Sequence, residues 1–92
     1  MQLEINSAIK AQLSTLPKAD QSRAERVLRR VAENPRSPSS IKKRLTSDPN
    51  LLLVKLDPKL RALVRIEDGK VRVLAVARQD QLTLNLPGTS LN

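Results

Sequence analysis

A chain of 92 residues can build one modest hydrophobic core but not two, and the absence of Phe, Tyr and Trp means that core is aliphatic. The chain has neither Cys nor His, which excludes disulfides, the usual zinc sites and the Ser-His and Cys-His nucleophile pairs. A formal net charge of +8 points to an anionic partner, and without aromatic rings a nucleic acid cannot be held by bases stacked on them.

The N-terminus, MQLEINSAIK, lacks the basic start and apolar core of a signal peptide. No segment reaches the run of about 18 apolar residues that a membrane span requires, so a cytoplasmic chain without membrane contact is expected. QLEIN (residues 2–6) alternates weakly and suits a short first strand. Asn6 or Ser7 can cap a helix with Ile9, Leu13 and Leu16 on one face. Pro17 ends that helix or opens the next, which should run from about Lys18 to Glu33, where Asn34-Pro35 stops it. Ala24, Val27, Leu28, Val31 and Ala32 share its buried face. Arg23, Arg26 and Arg30, with Arg29 nearby, cover the other, and charge on an outer helix face is first of all a solvated surface.

NPRSPSS (34–40) is a loop by composition. IKKRL (41–45) reads as a short helical or extended turn that packs Ile41 and Leu45 and leaves Lys42, Lys43 and Arg44 outside; TSDPN (46–50) is a second break. From Leu51 the period drops from 3.6 to 2, the mark of strands. LLLVKL (51–56) and LRALVRI (60–66) flank the turn DPK. VRVLAVAR (71–78) follows the turn EDGK, whose Asp68-Gly69 is a strong hairpin signal. The tail TLNLPGTSLN (83–92) is a C-terminal extension or docking arm beyond a core of about residues 2–82. The whole is expected to be a single α+β domain, a short strand and a helical hairpin packed on a three- to four-stranded antiparallel sheet.

The turn lengths set the register. A two-residue loop at Asp68-Gly69 places Glu67 opposite Lys70, Arg65 opposite Arg72, Leu63 opposite Leu74 and Arg61 opposite Val76. A three-residue loop at 57–59 places Lys55 opposite Arg61. With no bulge, Leu52, Val54, Leu56, Ala62, Val64, Ile66, Val71, Val73 and Ala75 form an aliphatic face for the helices. The opposite face then carries Lys55, Arg61, Arg65, Arg72 and Arg78, with Leu63, Leu74 and Val76 between them and no acid. Positive charges gathered without negatives suit a phosphate-binding cleft. The nine carboxylates are scattered, so no metal and no cofactor are expected.

This order of elements, with IKKRL and then LLLVKLDPKLRALVRIEDGKVRVLAVARQDQL, resembles the RelE/ParE superfamily of bacterial toxins. In that family a lysine-rich segment ends in leucine, a basic strand and turn lead to an arginine followed by apolar residues, and an apolar strand ends in arginine. The resemblance spans roughly residues 2–82. It implies a toxin of a type II toxin-antitoxin pair, neutralised by a cognate antitoxin. Its target would be the ribosome and its mRNA, which it would cut using the ribose 2′-hydroxyl; DNA gyrase, or plain nucleic-acid binding, is the alternative. By position, Arg61, Arg78 and Lys55 are the implied catalytic residues; Arg65 and Arg72 of the basic sheet face, and the cluster Lys42, Lys43 and Arg44, are the expected nucleic-acid-binding ones. The cleavage needs a base, cations for the phosphorane charge and an acid. The arginines supply charge but do not deprotonate, so of these residues Lys55 is the one that could serve as the base. The chain departs from the family where Leu82 stands in place of a frequent tyrosine and Ala77 in place of a frequent histidine.

Overall fold

Asn6 starts the first helix as its sequence predicts, its side-chain Oδ1 accepting the Ile9 N–H at 2.9 Å. In the computed structural model, which describes residues 1–36, 42–45 and 48–79 and of Leu45 the backbone alone, seven elements follow one another. They are β1 (Gln2–Glu4), α1 (Ser7–Ser14), α2 (Lys18–Glu33), β2 (Lys42–Leu45), β3 (Asp48–Lys55), β4 (Leu60–Glu67) and β5 (Lys70–Arg78). Pro17 is the N-cap of α2, one residue before the N1 position proposed for it. Gln21 binds the end of α1 to the start of α2, its Nε2 donating to the carbonyls of Leu16 at 2.8 Å and Ser14 at 3.2 Å. The end of α2 is tied across the molecule: the Lys42 Nζ donates to the Asn34 carbonyl at 2.6 Å. Burial holds that ammonium below the ordinary lysine range.

The sheet is larger than expected and mixed. Its five strands run in the order β1-β5-β4-β3-β2. β1 joins it parallel to β5, with Leu3 beside Val71, and the other pairings are antiparallel. Two expectations need correcting here. IKKRL supplies a true edge strand, and Asp48-Pro49-Asn50 begin β3 rather than forming a break. The edge carries Lys42, Lys43 and Arg44, charges that discourage pairing with another sheet. Ile41, the side chain of Leu45, Leu82 and the extension 83–92 lie outside the described residues.

Both hairpin turns fall where they were placed. Asp68 and Gly69 both have positive φ, 52° and 72°, as a two-residue loop between twisted strands requires. Leu56 and Leu60 close the 57–59 turn with a 3.0 Å backbone bond, and Lys55 stands opposite Arg61. The register of the second hairpin holds only as far as Val64 opposite Val73. There it slips, Leu63 pairing with Ala75, so Leu74 is an extra residue in β5 and stands exposed. Beyond this bulge the faces of β5 exchange. Val76, not Ala75, meets the main core, and Arg78 takes the register position opposite Leu60.

The helices cover one face of the sheet. Ile9, Leu13, Ala24, Leu28, Val31 and Ala32 pack on Leu52, Val54, Leu56, Ala62, Val64, Ile66, Val71 and Val73. A smaller cluster on the far face joins Leu51 and Leu63 to Leu53 and Ala75. Leu28 is fully buried at the centre of the helix–sheet contact. Leu28→Ala is expected to destabilise the domain by about 3 kcal/mol in urea unfolding; a loss below about 1 kcal/mol would mean that α2 does not anchor the core.

Candidate nucleic-acid interface

The strand alternation that buries Val64, Ile66, Val71 and Val73 turns Arg65, Glu67, Lys70 and Arg72 to the far face. Like charges directly opposite would repel, yet Arg65 does face Arg72. Three carboxylates resolve this. Arg65 reaches Asp48 at 3.0 Å and Glu67 at 3.5 Å; Arg72 reaches Glu67 at 2.8 Å and Glu4 at 3.0 Å; Lys70 reaches Glu4 at 3.3 Å. The result is a ladder of alternating sign, Asp48–Arg65–Glu67–Arg72–Glu4–Lys70, across four strands. The expectation of an acid-free face is therefore corrected: Glu4 arrives on β1, Asp48 on β3, and Glu67 belongs to β4 rather than to the turn.

The opposite end of the same sheet is different. Lys55 ends β3, Arg61 opens β4 beside it, Arg78 ends β5, and Lys59 projects from the turn between β3 and β4. From Arg65 to Arg61 is four residues, or about 13 Å along the strand. Asp57 is the acid of that turn, and its Oδ1 accepts the backbone N–H groups of Lys59 at 2.7 Å and Leu60 at 2.8 Å. Among the described residues Lys55, Lys59 and Arg61 make no ion pair. The sheet thus separates its charge, with a neutralised ladder at one end and, at the other, three cations that make no ion pair among the described residues.

Arg61 is held firmly. Its Nη1 donates to the Asp57 carbonyl at 2.7 Å and the Leu60 carbonyl at 3.2 Å, and its Nη2 to Gln79 Oε1 at 2.9 Å. A guanidinium has five N–H donors. Three are engaged here, which leaves the Nε–H and one Nη2 N–H for an incoming anion. The Gln79 N–H donates to the Lys59 carbonyl at 2.8 Å, closing the end of β5 onto the turn. Pro58, Lys59, Arg78 and Gln79 line an open recess of about 460 Å³ there.

Not every residue picked from the sequence gathers at this end. Lys55 and Arg61 share the far face, and Lys43, opposite Leu53 on β2, stands on that face two register positions away. Lys42 and Arg44 occupy the other register, opposite Val54 and Leu52, with Lys42 engaged at the end of α2. The bulge moves Arg78 off the face of Arg61 to the register position opposite Leu60, and it is Gln79, the next residue, that reaches Arg61. Sequence reasoning missed two residues. Lys59 looked like part of a turn, and Gln79 stood inconspicuously after Arg78; the three-residue loop was the signal that could have placed Lys59 beside the arginines. A second recess, of about 310 Å³ by α1 and α2, has Leu3, Ile5 and Leu13 in its lining and mixes Lys10 and Arg29 with Glu25, so it lacks this uniform sign.

Among the described residues no helix is long and apolar enough to cross a membrane. No family model and no curated protein matches the sequence.

The ladder makes a pH-dependent prediction. The hydrogen bond from Lys70, followed by the charge of Arg72, holds the Glu4 carboxyl below its ordinary range. A carboxyl depressed in the folded state stabilises the fold above its unfolded value and loses that contribution as pH falls through the folded one. Glu4→Gln should therefore lower the thermal midpoint at neutral pH, and the gap to the parent should close as the solution is acidified below the carboxylate range. A gap that stays constant into acid would mean that the ladder does not hold β1.

Proposed function

We propose that the cationic end of the sheet binds the phosphates of RNA, and that the chain is a toxin of the RelE/ParE type acting on translation as a ribosome-dependent endoribonuclease. The observation that carries this reading is the charge separation. Three cations without an ion pair among the described residues, one of them a guanidinium fixed at three points with two donors left over, suit a phosphodiester better than a solvated surface does. The order of elements, a short strand and two helices followed by an antiparallel run of strands, supports the resemblance on which the toxin reading rests.

In this reading Arg61 and Arg78 take the charge that develops on the phosphorane, and Lys55 exchanges the proton of the attacking 2′-hydroxyl. Lys59 adds a further cation. Lys43, Arg65 and Arg72 extend the contact along the far face, the last two to the degree that their carboxylate partners release them. Lys42 and Arg44 flank the path on the edge strand. A cognate antitoxin would cover the same cations.

A second reading is favoured by the absence of any His or Tyr in the sequence, which leaves few groups for acid–base work. In it the same surface binds without cutting, as a toxin directed at DNA gyrase or as a plain nucleic-acid binder would. Pulse-labelling of protein and DNA synthesis after inducing the chain alone in a bacterium separates these. A rapid stop in protein synthesis with replication intact supports the ribosomal reading, and a selective stop in replication supports the gyrase reading. For the site itself, Arg61→Ala and Arg78→Ala should each weaken binding to single-stranded RNA and reduce the salt slope by about 0.7. An unchanged slope in both variants would remove the phosphate site.

A further inference from the structure

Gln79, which follows the last described strand, joins the halves of the cationic end. Its backbone N–H is fixed to the Lys59 carbonyl at 2.8 Å, so the residue cannot drift from the turn. Its side-chain Oε1 accepts from Arg61 Nη2 at 2.9 Å. Arginine offers only donors, so the amide has one permitted orientation: oxygen toward Arg61, nitrogen away from it. The two carbonyls on Nη1 belong to Asp57 of the turn and to Leu60 at the start of β4, and among the described residues Gln79, just past β5, is the one partner of this guanidinium from beyond that hairpin. Without it the guanidinium is held through a single nitrogen and regains rotation about the end of its long side chain.

We propose that Gln79 is a positioning residue for Arg61, locking the guanidinium so that its Nε–H and remaining Nη2 N–H stand ready for a phosphate. This rests on the reading of Arg61 as a phosphate ligand. Gln79 contributes no charge, so its effect on affinity comes through order and not through counterion release. The bulge at Leu74 supports the assignment. By moving Arg78 into the register opposite Leu60, it leaves Gln79 at the strand end, where its side chain reaches Arg61. Gln79 is exposed, so its substitution leaves the core intact.

The test is a double-mutant cycle of Gln79→Ala and Arg61→Ala on the full chain. It reads the affinity and salt slope for a labelled single-stranded RNA dodecamer, with thermal unfolding alongside. Gln79→Ala alone should weaken binding by about three- to tenfold, with the salt slope and the thermal midpoint unchanged. In the Arg61→Ala background it should cost nothing further. Gln79→Glu, which keeps the acceptor but adds a negative charge, should lower the salt slope. Equal losses from Gln79→Ala in both backgrounds, or none in either, would overturn the positioning role while leaving Arg61 as a ligand. Unchanged RNA binding in Arg61→Ala would instead overturn the phosphate site, and the positioning role with it.

Discussion

Strand alternation governs this molecule, and it is interrupted on β5 at one residue. A helix pair with aliphatic faces can cover only one side of the sheet, so each strand must send every second side chain there. β4 obeys throughout, and β3 does so from Leu51 to Lys55, its pairing with β2 shifting between Arg44 and Leu45. β5 obeys as far as Val73, and the extra residue Leu74 then reverses its phase. Val76 is thereby recruited to the core, Ala75 to the smaller cluster of Leu51 and Leu63, and Arg78 to a position apart from Arg61. The bulge lies between the neutralised end of the sheet and the cationic one.

The two ends handle like charges differently. At the ladder, each arginine has two carboxylates, at least one of them from a neighbouring strand, and every partner remains partly exposed. Such pairs add little stability one by one, but their alternation allows Arg65 and Arg72 to stand directly opposite each other. At the other end the backbone takes the place of carboxylates. The carbonyls of Asp57 and Leu60 and one neutral amide hold Arg61 without cancelling its charge. That distinction separates a cation bound into a carboxylate network from one held by neutral groups with its charge intact.

Much of this was legible from residue order, and the failures have physical causes. α2 emerged at its full extent because five apolar residues repeat at helical spacing ahead of Asn34-Pro35. Both hairpin turns emerged because Asp-Gly and Asp-Pro-Lys have few other uses between strands. The bulge did not. Leu74, Ala75, Val76 and Ala77 are all apolar, so their order carries no information about which face each one takes. β1 and β2 are short and half charged, and their pairing is decided by partners far along the chain. For the same reason the acids of the ladder could not be placed: Glu4 meets Arg72 across 68 positions of sequence. Gln79 had no signal beyond its place after Arg78, since its role depends on a turn that begins more than twenty residues earlier.

The parallel pairing of β1 with β5 has a consequence for the order in which the chain is made. β1 precedes every other described element in the chain, and its neighbour in the sheet is the last described strand. Until residues 70–72 have emerged, Glu4 has neither Lys70 nor Arg72 to bind, and the helices have only part of the surface they cover. Pairings this distant form late, after the local hairpins. The cationic end is completed by the same strand, because Arg61 lacks its third anchor until Gln79 arrives. Growth of the nascent chain therefore withholds the complete sheet, and the last anchor of Arg61, until β5 and Gln79 have emerged.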